Sequence, residues 1–374
     1  MNHKENQRER RPIVSVIMGV YNGEEYLREA VDSVIGQDAA DWEFIIIDDC
    51  STDGTGEILR EYAERDRRIR VYRNETNQKL PATLNRALAL ARGKYVVRMD
   101  ADDVCVKTRI GAQVEFMEKN PQISLSFGKI LFLEETRAYP VSLSRRCDPE
   151  ALKALLLFVN PVFHNAVIAR TEDMRAVRYD ADFSCAEDYD LWTRMAGMGF
   201  RIAAQPECMV FYRHHDCQVS SSRAARQREQ HAKIARRFYR GTLFELSEEQ
   251  LDFLVNGICF GETFDLKRFE TFFLKILEAN KKKRIFSESA IRYAAFEIIM
   301  RRKSPEDSAM ALLKRQMQIV GPLFTLKEVL RRKRAFQREC LLWDQSARSQ
   351  GMKKSGVIPG EKTPVYQINP DGDE

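Results

Sequence analysis

Residues 93–109 have the sequence GKYVVRMDADDVCVKTR, which joins a short apolar run to a dense group of acidic residues. The run 95–97 is typical of a buried strand, and Asp100, Asp102 and Asp103 follow it within four positions. Two carboxylates about 4 Å apart repel each other by roughly 4 kcal/mol at an effective dielectric constant near 20. We therefore expect a positive charge to offset this repulsion where the strand ends.

The segments before this stretch alternate between strand and helix patterns. Runs rich in apolar and β-branched residues predict strands in 13–21, 42–49, 69–74 and 94–100. Apolar residues at helical spacing predict helices in 23–37, 51–65 and 80–93, with the first ending near Gly36 and the last closed by Gly93. This order predicts an α/β fold with a mostly parallel sheet and right-handed crossovers.

Three polar clusters follow strands of this predicted sheet, namely Tyr21-Asn22, Asp48-Asp49 and Asp100-Ala101-Asp102. Ligands of open α/β sheets bind at the carboxyl ends of the strands. We therefore expect the three clusters to converge on one rim.

The later segments divide into a mixed part and a helical part. Residues 109–121 and 187–199 are predicted helices, and 123–135 predicts strands. After residue 220 the pattern is almost wholly helical, with predicted capping boxes at Ser247/Gln250 and Thr325/Glu328 and a predicted helix start at Ser304-Pro305. The predicted domains are an N-terminal tail (1–11), an α/β domain (12–220), a helical region (221–345) and a disordered tail (346–374).

Charge and cysteine content limit the class of protein. Residues 221–340 contain 26 Lys and Arg against 15 Asp and Glu, a formal charge of +11, while the whole chain carries only +5. The eight cysteines include no C-x-x-C pair, which favours reduced thiols over a zinc site. The charged N-terminus does not resemble a signal peptide, and no stretch approaches the roughly 18 apolar residues of a membrane span. We expect a cytoplasmic protein, with contact to the inner face of the plasma membrane left open.

Each acidic cluster has an ordinary interpretation beside a functional one. The group at 100–103 is either a solvated loop or helix cap, or a site for a divalent cation that also holds phosphate. An EF-hand is excluded because Cys105 and Gly111 stand where Gly and Glu are needed. Asp48 suits a helix cap, whereas Asp49 is placed to accept a hydrogen bond from a base imide. Glu187-Asp188 is either a favourable charge at a helix start or supplies a general base, Asp188.

Taken in order, these segments resemble the inverting family 2 glycosyltransferases, which have a GT-A fold. The resemblance covers residues 12–220 and rests on VSVIMGVYNGEEYLREAVDSVIGQ, FIIIDDCSTDGT, LNRALALARGKYVVRMDADD, EDYDLW and YRHHDCQVS. The chain departs from the family pattern in two places. His164-Asn165-Ala166 stands where the family often has His-Pro-Thr-like residues, and Lys79 where it often has Gly.

The resemblance implies roles for individual residues. Tyr21 lies against the base, Asp49 contacts the base imide, and Asp100 lies near the ribose. Asp102 holds a Mn²⁺ or Mg²⁺ ion that bridges the phosphates, and His215 approaches the diphosphate and is the second predicted metal ligand. Asp188 is the catalytic base, with Glu187 beside it. The full set of predicted nucleotide-sugar-binding residues is Val20, Tyr21, Asn22, Glu24, Asp49, Arg98, Asp100 and Ala101.

The implied reaction is transfer of one sugar, with inversion, from a nucleotide sugar to a saccharide or lipid-linked saccharide in surface polysaccharide synthesis. UDP is the expected nucleotide, although dTDP presents the same imide edge. None of the three tryptophans lies in the Gln-x-x-Arg-Trp pattern of processive synthases. The basic helices, with KKKR at 281–284 and RRKR at 331–334, either contact anionic lipid or are ordinary solvated faces.

Three other functions are less consistent with the sequence. A nucleotidyltransferase needs a basic Gly-rich loop after the first strand, but this chain has GVYNGEEYL there. A nucleic-acid-binding protein using the basic helices is disfavoured because no aromatic platform accompanies them. A catalytically silent scaffold is disfavoured because the acidic residues needed for the chemistry are present. The sugar, the acceptor and the oligomeric state are left open.

Overall fold

The structure is a computed structural model, and it describes residues 11–39, 41–134, 137–141, 148–213, 224–302, 309–348, 352–357 and 364–368. The strands in this part of the chain are β1 (Val14–Val20), β2 (Trp42–Asp48), β3 (Ile69–Arg73), β4 (Tyr95–Arg98), β5 (Val104–Cys105), β6 (Leu125–Glu134), β7 (Arg137–Val141), β8 (Val167–Arg170), β9 (Ile202–Arg213), β10 (Met352–Val357) and β11 (Pro364–Ile368).

The helices flank these strands and fill most of the second half of the described chain. They are α1 (Leu27–Ile35), α2 (Thr55–Arg65), α3 (Lys79–Leu90), α4 (Arg109–Lys119), α5 (Pro149–Leu155), α6 (Thr171–Val177), α7 (Glu187–Gly197), α8 (Ala224–Thr242), α9 (Glu248–Asp252), α10 (Leu266–Lys283), α11 (Glu288–Arg301), α12 (Ala309–Val320) and α13 (Pro322–Arg348). A 3₁₀ turn covers His164–Ala166 and a π-helical segment covers Phe253–Cys259.

The first half of the sheet is parallel, in the order β4-β1-β2-β3. Every residue of β2 is buried, as expected for a strand covered on both faces. Phe44 and Ile46 pack into one core, while Ile45 and Ile47 pack into the other, because successive side chains of a strand point to opposite faces. The predicted α/β alternation is confirmed here, and it brings the ends of β1, β2 and β4 to one rim.

The second half of the sheet is largely antiparallel. Strand β8 pairs antiparallel with β4 and with β6, and β7 pairs antiparallel with β6. Strand β9 runs parallel to β6 and also pairs with the short β5, directly after the acidic stretch. The complete sheet is therefore mixed, and β9 ends beside the acidic loop that follows β4.

The helical region after residue 220 packs against the α/β part. Helix α8 contacts α7, and α11 contacts α5. Among the described helices, none combines the length and the apolar character that crossing a bilayer requires.

The sequence predicts a disordered tail over 346–374, and this prediction is wrong for the segments that the structure describes. Helix α13 continues to Arg348, and β10 and β11 form an antiparallel pair that joins the main sheet at β7. Trp343, Ala347 and Met352 share a buried cluster with Leu131 and Phe211. Burial of these apolar side chains favours the folded state of the segment. The sequences of the short, polar strands do not predict this by themselves.

Two predicted helix boundaries also need correction. Helix α3 ends at Leu90 rather than at Gly93, whose missing side chain lets the chain pass close to the backbone of Val14 and Ser15. Thr325 lies inside α13, where its hydroxyl donates to the Gly321 carbonyl, because Pro322 begins the helix three residues earlier. The capping box at Ser247 and Gln250 is confirmed, and Ser304-Pro305 lies outside the described residues.

Candidate functional site

The loops after β1 and β2 are tied together by hydrogen bonds at the rim of the sheet. Asn22 adopts a positive φ of 51°, and its backbone N–H donates to Ser51 Oγ at 3.0 Å. Its side-chain oxygen in turn accepts from the backbone N–H of Thr52 at 2.8 Å. Glu24 Oε2 accepts from the N–H of Gly54 at 2.6 Å. The predicted residues Asn22 and Glu24 therefore brace the loop that carries Asp49.

Two residues at the end of β1 differ in exposure. Val20 is buried as the last residue of the strand, while Tyr21, the next residue, is 51% exposed. A large aromatic ring left half in water at a strand end offers a flat surface for another ring system.

Asp48 and Asp49 are both buried, and both accept hydrogen bonds from donors of the protein. Asp48 accepts from the N–H of Ser51 at 2.8 Å and pairs with Arg73 Nη1 at 2.5 Å. Asp49 accepts from Asn74 Nδ2 at 2.6 Å and from the backbone N–H groups of 78 and 79 at 2.8 and 2.9 Å. Asp48 thus fixes the turn, and Asp49 holds the start of α3.

Lys79 has a φ of 69°, a left-handed conformation that Gly adopts at no steric cost. This geometry explains physically why Gly suits the position in the resembled family. In this chain the backbone N–H of Lys79 still reaches Asp49, so the strained residue keeps the contact.

The three carboxylates after β4 lie close together. Asp100, Asp102 and Asp103 each present an oxygen within 4.8 Å of the others. Asp103 is fully buried, with one oxygen accepting from Asn165 Nδ2 at 2.5 Å and the other from the backbone N–H of Arg213 at 2.9 Å. Burial and the neighbouring charges of Asp100 and Asp102 raise the pKa of Asp103 well above its usual range.

Asp100 pairs with the buried guanidinium of Arg98, the last residue of β4. Burial raises the pKa of Asp100 to about 6; Arg98 opposes this shift and Asp102 adds to it. Burial disfavours the charge on Arg98, but Asp100 and Asp103 together raise its pKa, so it stays protonated. Asp100 thus pairs directly with Arg98, and the charge of Asp103 also acts on this guanidinium.

The start of α7 brings a second acidic group to the site. Asp188 Oδ2 accepts from Asn160 Nδ2 at 2.7 Å, and Oδ1 accepts from the N–H of Tyr189 at 2.7 Å. Burial raises the pKa of Asp188, and these two donors oppose the shift. Burial and the Asp188 charge raise the pKa of Glu187 to about 8.

The two acidic groups and Arg98 lie close enough for their charges to interact. The charge of Asp188 raises the pKa of Asp100, and that of Asp100 raises the pKa of Glu187, while Arg98 lowers the pKa of all three. The structure therefore brings together the predicted residues at the end of β4 and the start of α7, with Ala101 between the carboxylates. His215 lies outside the described residues.

His164 is not a free base. Its Nε2 lies 2.8 Å from the hydroxyl of Tyr179, and its ring packs edge-on against Trp192. Burial, with the charge of Arg98, lowers the pKa of His164 well below its usual value, so the ring is neutral.

Several supporting residues were not predicted from sequence. Asn165 and Arg213 hold Asp103, Asn160 holds Asp188, and Arg237 of α8 pairs with the buried Asp190 of α7 at 2.6 Å. Asn165 lies where the chain departs from the family pattern, and this departure could have pointed to it. Asn160 and Arg237 carried no local pattern, because their partners are 28 and 47 positions away.

The carboxylate cluster fits a divalent cation. Hard cations such as Mg²⁺ and Mn²⁺ take carboxylate oxygens as ligands, and the donor set here is made only of such oxygens. Burial and mutual repulsion raise the pKa values of Asp100 and Asp103, and a cation bound by their oxygens would favour the ionised form of both.

The curled, mixed sheet with an acidic rim at the ends of its parallel strands is a GT-A fold. The family model "Glycosyl transferase family 2" matches residues 15–173. An uncharacterized glycosyltransferase of Haemophilus influenzae is 34% identical over 235 residues, which is 60% of this chain and 72% of the relative. The putative teichuronic acid biosynthesis glycosyltransferase TuaG of Bacillus subtilis is 31% identical over 214 residues, 57% of this chain and 83% of TuaG.

A solved structure has the same fold. The complex of S. aureus TarS 1–349 with UDP-GlcNAc covers 96% of this chain and 98% of its own, with a TM-score of 0.54 at 20% identity. The chain belongs to glycosyltransferase family 2, and it is a transferase enzyme.

Proposed function

We propose that this glycosyltransferase moves one sugar from a UDP-sugar to a hydroxyl group of a saccharide or lipid-linked saccharide, with inversion, in surface polysaccharide synthesis. The observation that carries the proposal is that two acidic groups, Asp100–Asp103 and Glu187–Asp188, lie close enough to the buried Arg98 for their charges to interact with it. The names of TuaG and the UDP-GlcNAc complex of TarS support the substrate class.

Asp102 and His215 would hold Mn²⁺ or Mg²⁺, with Asp100 beside them. When bound, the cation supplies positive charge where the departing diphosphate becomes negative. Asp103 serves this arrangement indirectly, because its contacts with Asn165 and Arg213 fix the loop after β4 against β9. Arg98 adds a buried positive charge and orients Asp100.

Asp188 acts as the general base that takes the proton of the acceptor hydroxyl. Asn160 and the N–H of Tyr189 stabilise its ionised form and fix its orientation. Glu187, with a pKa of about 8, is mostly protonated at neutral pH and leaves the negative charge on Asp188. One base with in-line attack predicts inversion, whereas retention needs a second carboxylate as nucleophile.

The nucleotide binds along the rim formed by the loops after β1 and β2. The exposed ring of Tyr21 stacks on the base. Asp49 is held by three donors, but Oδ2 accepts only the N–H of Lys79, which leaves capacity for the imide N–H of uracil. Val20, Asn22, Glu24 and Ala101 shape the same rim.

The domain assignment and the membrane contact follow as proposals. Residues 12–220 carry the chemistry, and the helical region 221–345 supports α7 and contacts an anionic membrane surface. Leu323, Leu326 and Leu330 are 76%, 51% and 52% exposed along α13, with the exposed Lys327 among them. Sedimentation with vesicles containing anionic lipid, compared with neutral vesicles, tests this contact; equal binding to both would contradict it.

The direct test of function uses the full-length protein, Mn²⁺ and a panel of nucleotide sugars, with nucleoside diphosphate release as the readout. UDP binding that disappears with EDTA is expected. Pyrophosphate release from a nucleoside triphosphate would instead indicate a nucleotidyltransferase.

Asp188→Asn tests the base. We expect it to keep UDP affinity and to lose transfer by roughly 10²–10⁴-fold, the usual contribution of a general base. Full activity of this variant would show that another residue takes the proton.

A further inference from the structure

A cavity lies between the helical region and residues 159–160 of the α/β part. Its volume is about 340 Å³, and no acidic residue is among the described residues that line it. Its polar lining consists of Asn160, Gln227, His231, Cys259, Arg301 and Arg302. The cavity is thus built by the α/β part and the helical region together, and the carboxylates after β4 do not line it.

Arg302 is fixed in this cavity by the backbone. Its Nε and Nη2 donate to the carbonyl of Ile258 at 2.9 and 2.8 Å, and Nη2 also contacts the carbonyl of Cys259. Gly261 has a φ of 80°, and a side chain there would collide with the guanidinium. The position beside Arg302 is therefore kept clear by a residue that has no Cβ.

Arg301 adds a second guanidinium that lacks a full set of partners. Its Nη2 is buried and has no hydrogen-bond acceptor among the described residues. Glu297 supports its charge, but Arg302 and Arg332 oppose it, and the carboxylate of Glu297 already pairs with Arg332. Among the described residues, the charge of Arg301 is thus opposed by two neighbouring guanidinium groups and supported by one carboxylate, and partly buried charges of one sign are costly without a counter-ion.

The cavity adjoins the proposed base. Asn160 lines it and donates to Asp188 Oδ2 at 2.7 Å. His231, also in the lining, stacks on Tyr189, the residue after Asp188, with ring centroids 4.8 Å apart. Burial lowers the pKa of His231 to about 4, so it supplies a neutral polar ring rather than a charge.

We infer that this cavity binds an anionic oxygen group, a phosphate or a carboxylate, of the sugar acceptor. The inference rests on the proposed function, because it names the chemical class of the acceptor that Asp188 would deprotonate. Since a water molecule takes about 30 Å³ in the liquid, the cavity has room for a phosphate with its waters. The two arginines supply the charge that such a group needs, and Asn160 couples its position to the base.

The test uses Gln227→Glu in the full-length protein, with Arg226→Gln as matched control. Both changes lower the net charge by one on neighbouring positions of α8, but Gln227 lines the cavity while Arg226 is exposed and does not. Inorganic phosphate is titrated calorimetrically into protein saturated with UDP and Mn²⁺, so that the donor site is filled. We expect Gln227→Glu to weaken phosphate binding by about tenfold or more, and Arg226→Gln to change it less than about twofold.

UDP release is then followed with one hexose offered as its neutral methyl glycoside, as its uronic acid and as its 1-phosphate. An advantage of the anionic forms that disappears in Gln227→Glu is expected, and the better of the two identifies the group. Equal release with all three, or an advantage that survives in Gln227→Glu, would overturn the inference, even if free phosphate binds. UDP binding without phosphate binding would contradict the inference alone, whereas failure to bind UDP would contradict the proposed function as well.

Discussion

The loops after β2 and β4 both present aspartates at the carboxyl ends of parallel strands, but they treat these charges differently. After β2, Asp48 and Asp49 are buried and receive five hydrogen bonds from protein donors. After β4, three carboxylates lie within 4.8 Å of one another, Asp100 pairs with Arg98, and the pKa values of Asp100 and Asp103 are raised.

This difference separates two uses of the same residue type. Hydrogen bonds from the protein to a buried carboxylate hold its loop in one conformation, because each buried donor would lose its partner without it. In a cluster of carboxylates, burial and mutual repulsion disfavour the ionised forms, and a bound cation would favour them. The aspartates after β2 are therefore held by the protein itself, whereas we propose that those after β4 also bind a cation.

Asp102→Ala should give the largest effect. Loss of a proposed metal ligand should reduce transfer by at least about 100-fold and should abolish Mn²⁺-dependent UDP binding. Stability without metal should be kept or raised, because the Asp102 charge raises the pKa of both Asp100 and Asp103. Transfer assays and thermal melts in EDTA check this. A large drop in melting temperature would show that Asp102, like Asp49, stabilises the protein without metal.

Asp49→Ala, unlike Asp102→Ala, should lower the stability of the protein without metal. Its removal leaves the side chain of Asn74 and two backbone N–H groups without their acceptor, at a cost of roughly 2–4 kcal/mol in the free energy of unfolding. Thermal melts in EDTA measure this, with exposed Glu75→Ala in the loop before α3 as the comparison. A melting temperature equal to that of the unmodified protein would show that Asp49 does not hold the loop.

Asn160→Leu should shift the pH dependence, with the smallest effect. A base must be ionised to act, so kcat/KM should fall as the pH drops through the pKa of Asp188, which burial has raised. Loss of the Asn160 donor removes a contact that favours the ionised form, so the acid limb should move to higher pH by about 0.5–1 unit. A pH profile measures this. An unchanged acid limb would show that Asn160 does not affect the pKa of the base.

Much of the fold could be predicted because each strand and helix in the first half of the chain has its own local sequence pattern. The apolar runs of β1, β2 and β4 and the helical spacing between them fix the parallel sheet, and that order places Tyr21, Asp49 and Asp100 at one rim. The predicted clustering of Asp100, Asp102 and Asp103 is confirmed as geometry. Their roles stay predictions.

The rest could not be predicted because it depends on contacts between distant segments. Asn165 reaches Asp103 across 62 positions, and Arg213 reaches it across 110. Strands β10 and β11 are short and contain Lys, Gly and Pro, so they carry no strand pattern until β7 and the cluster around Trp343 supply partners. The strain at Lys79 is likewise a backbone property, visible in the sequence only as a departure from the family's Gly.

The pairing of β11 with β7 has a practical consequence for shortened versions of the protein. A chain cut before Met352 would leave β7 at the border of the sheet with a row of unpaired backbone N–H and C=O groups. Such a border is a template for strands of other molecules. In the longer chain this border is β10, where two lysines and an irregular register between Lys354 and Gly356 discourage such pairing. Truncation to the segment matched by the family model, 15–173, would therefore favour self-association.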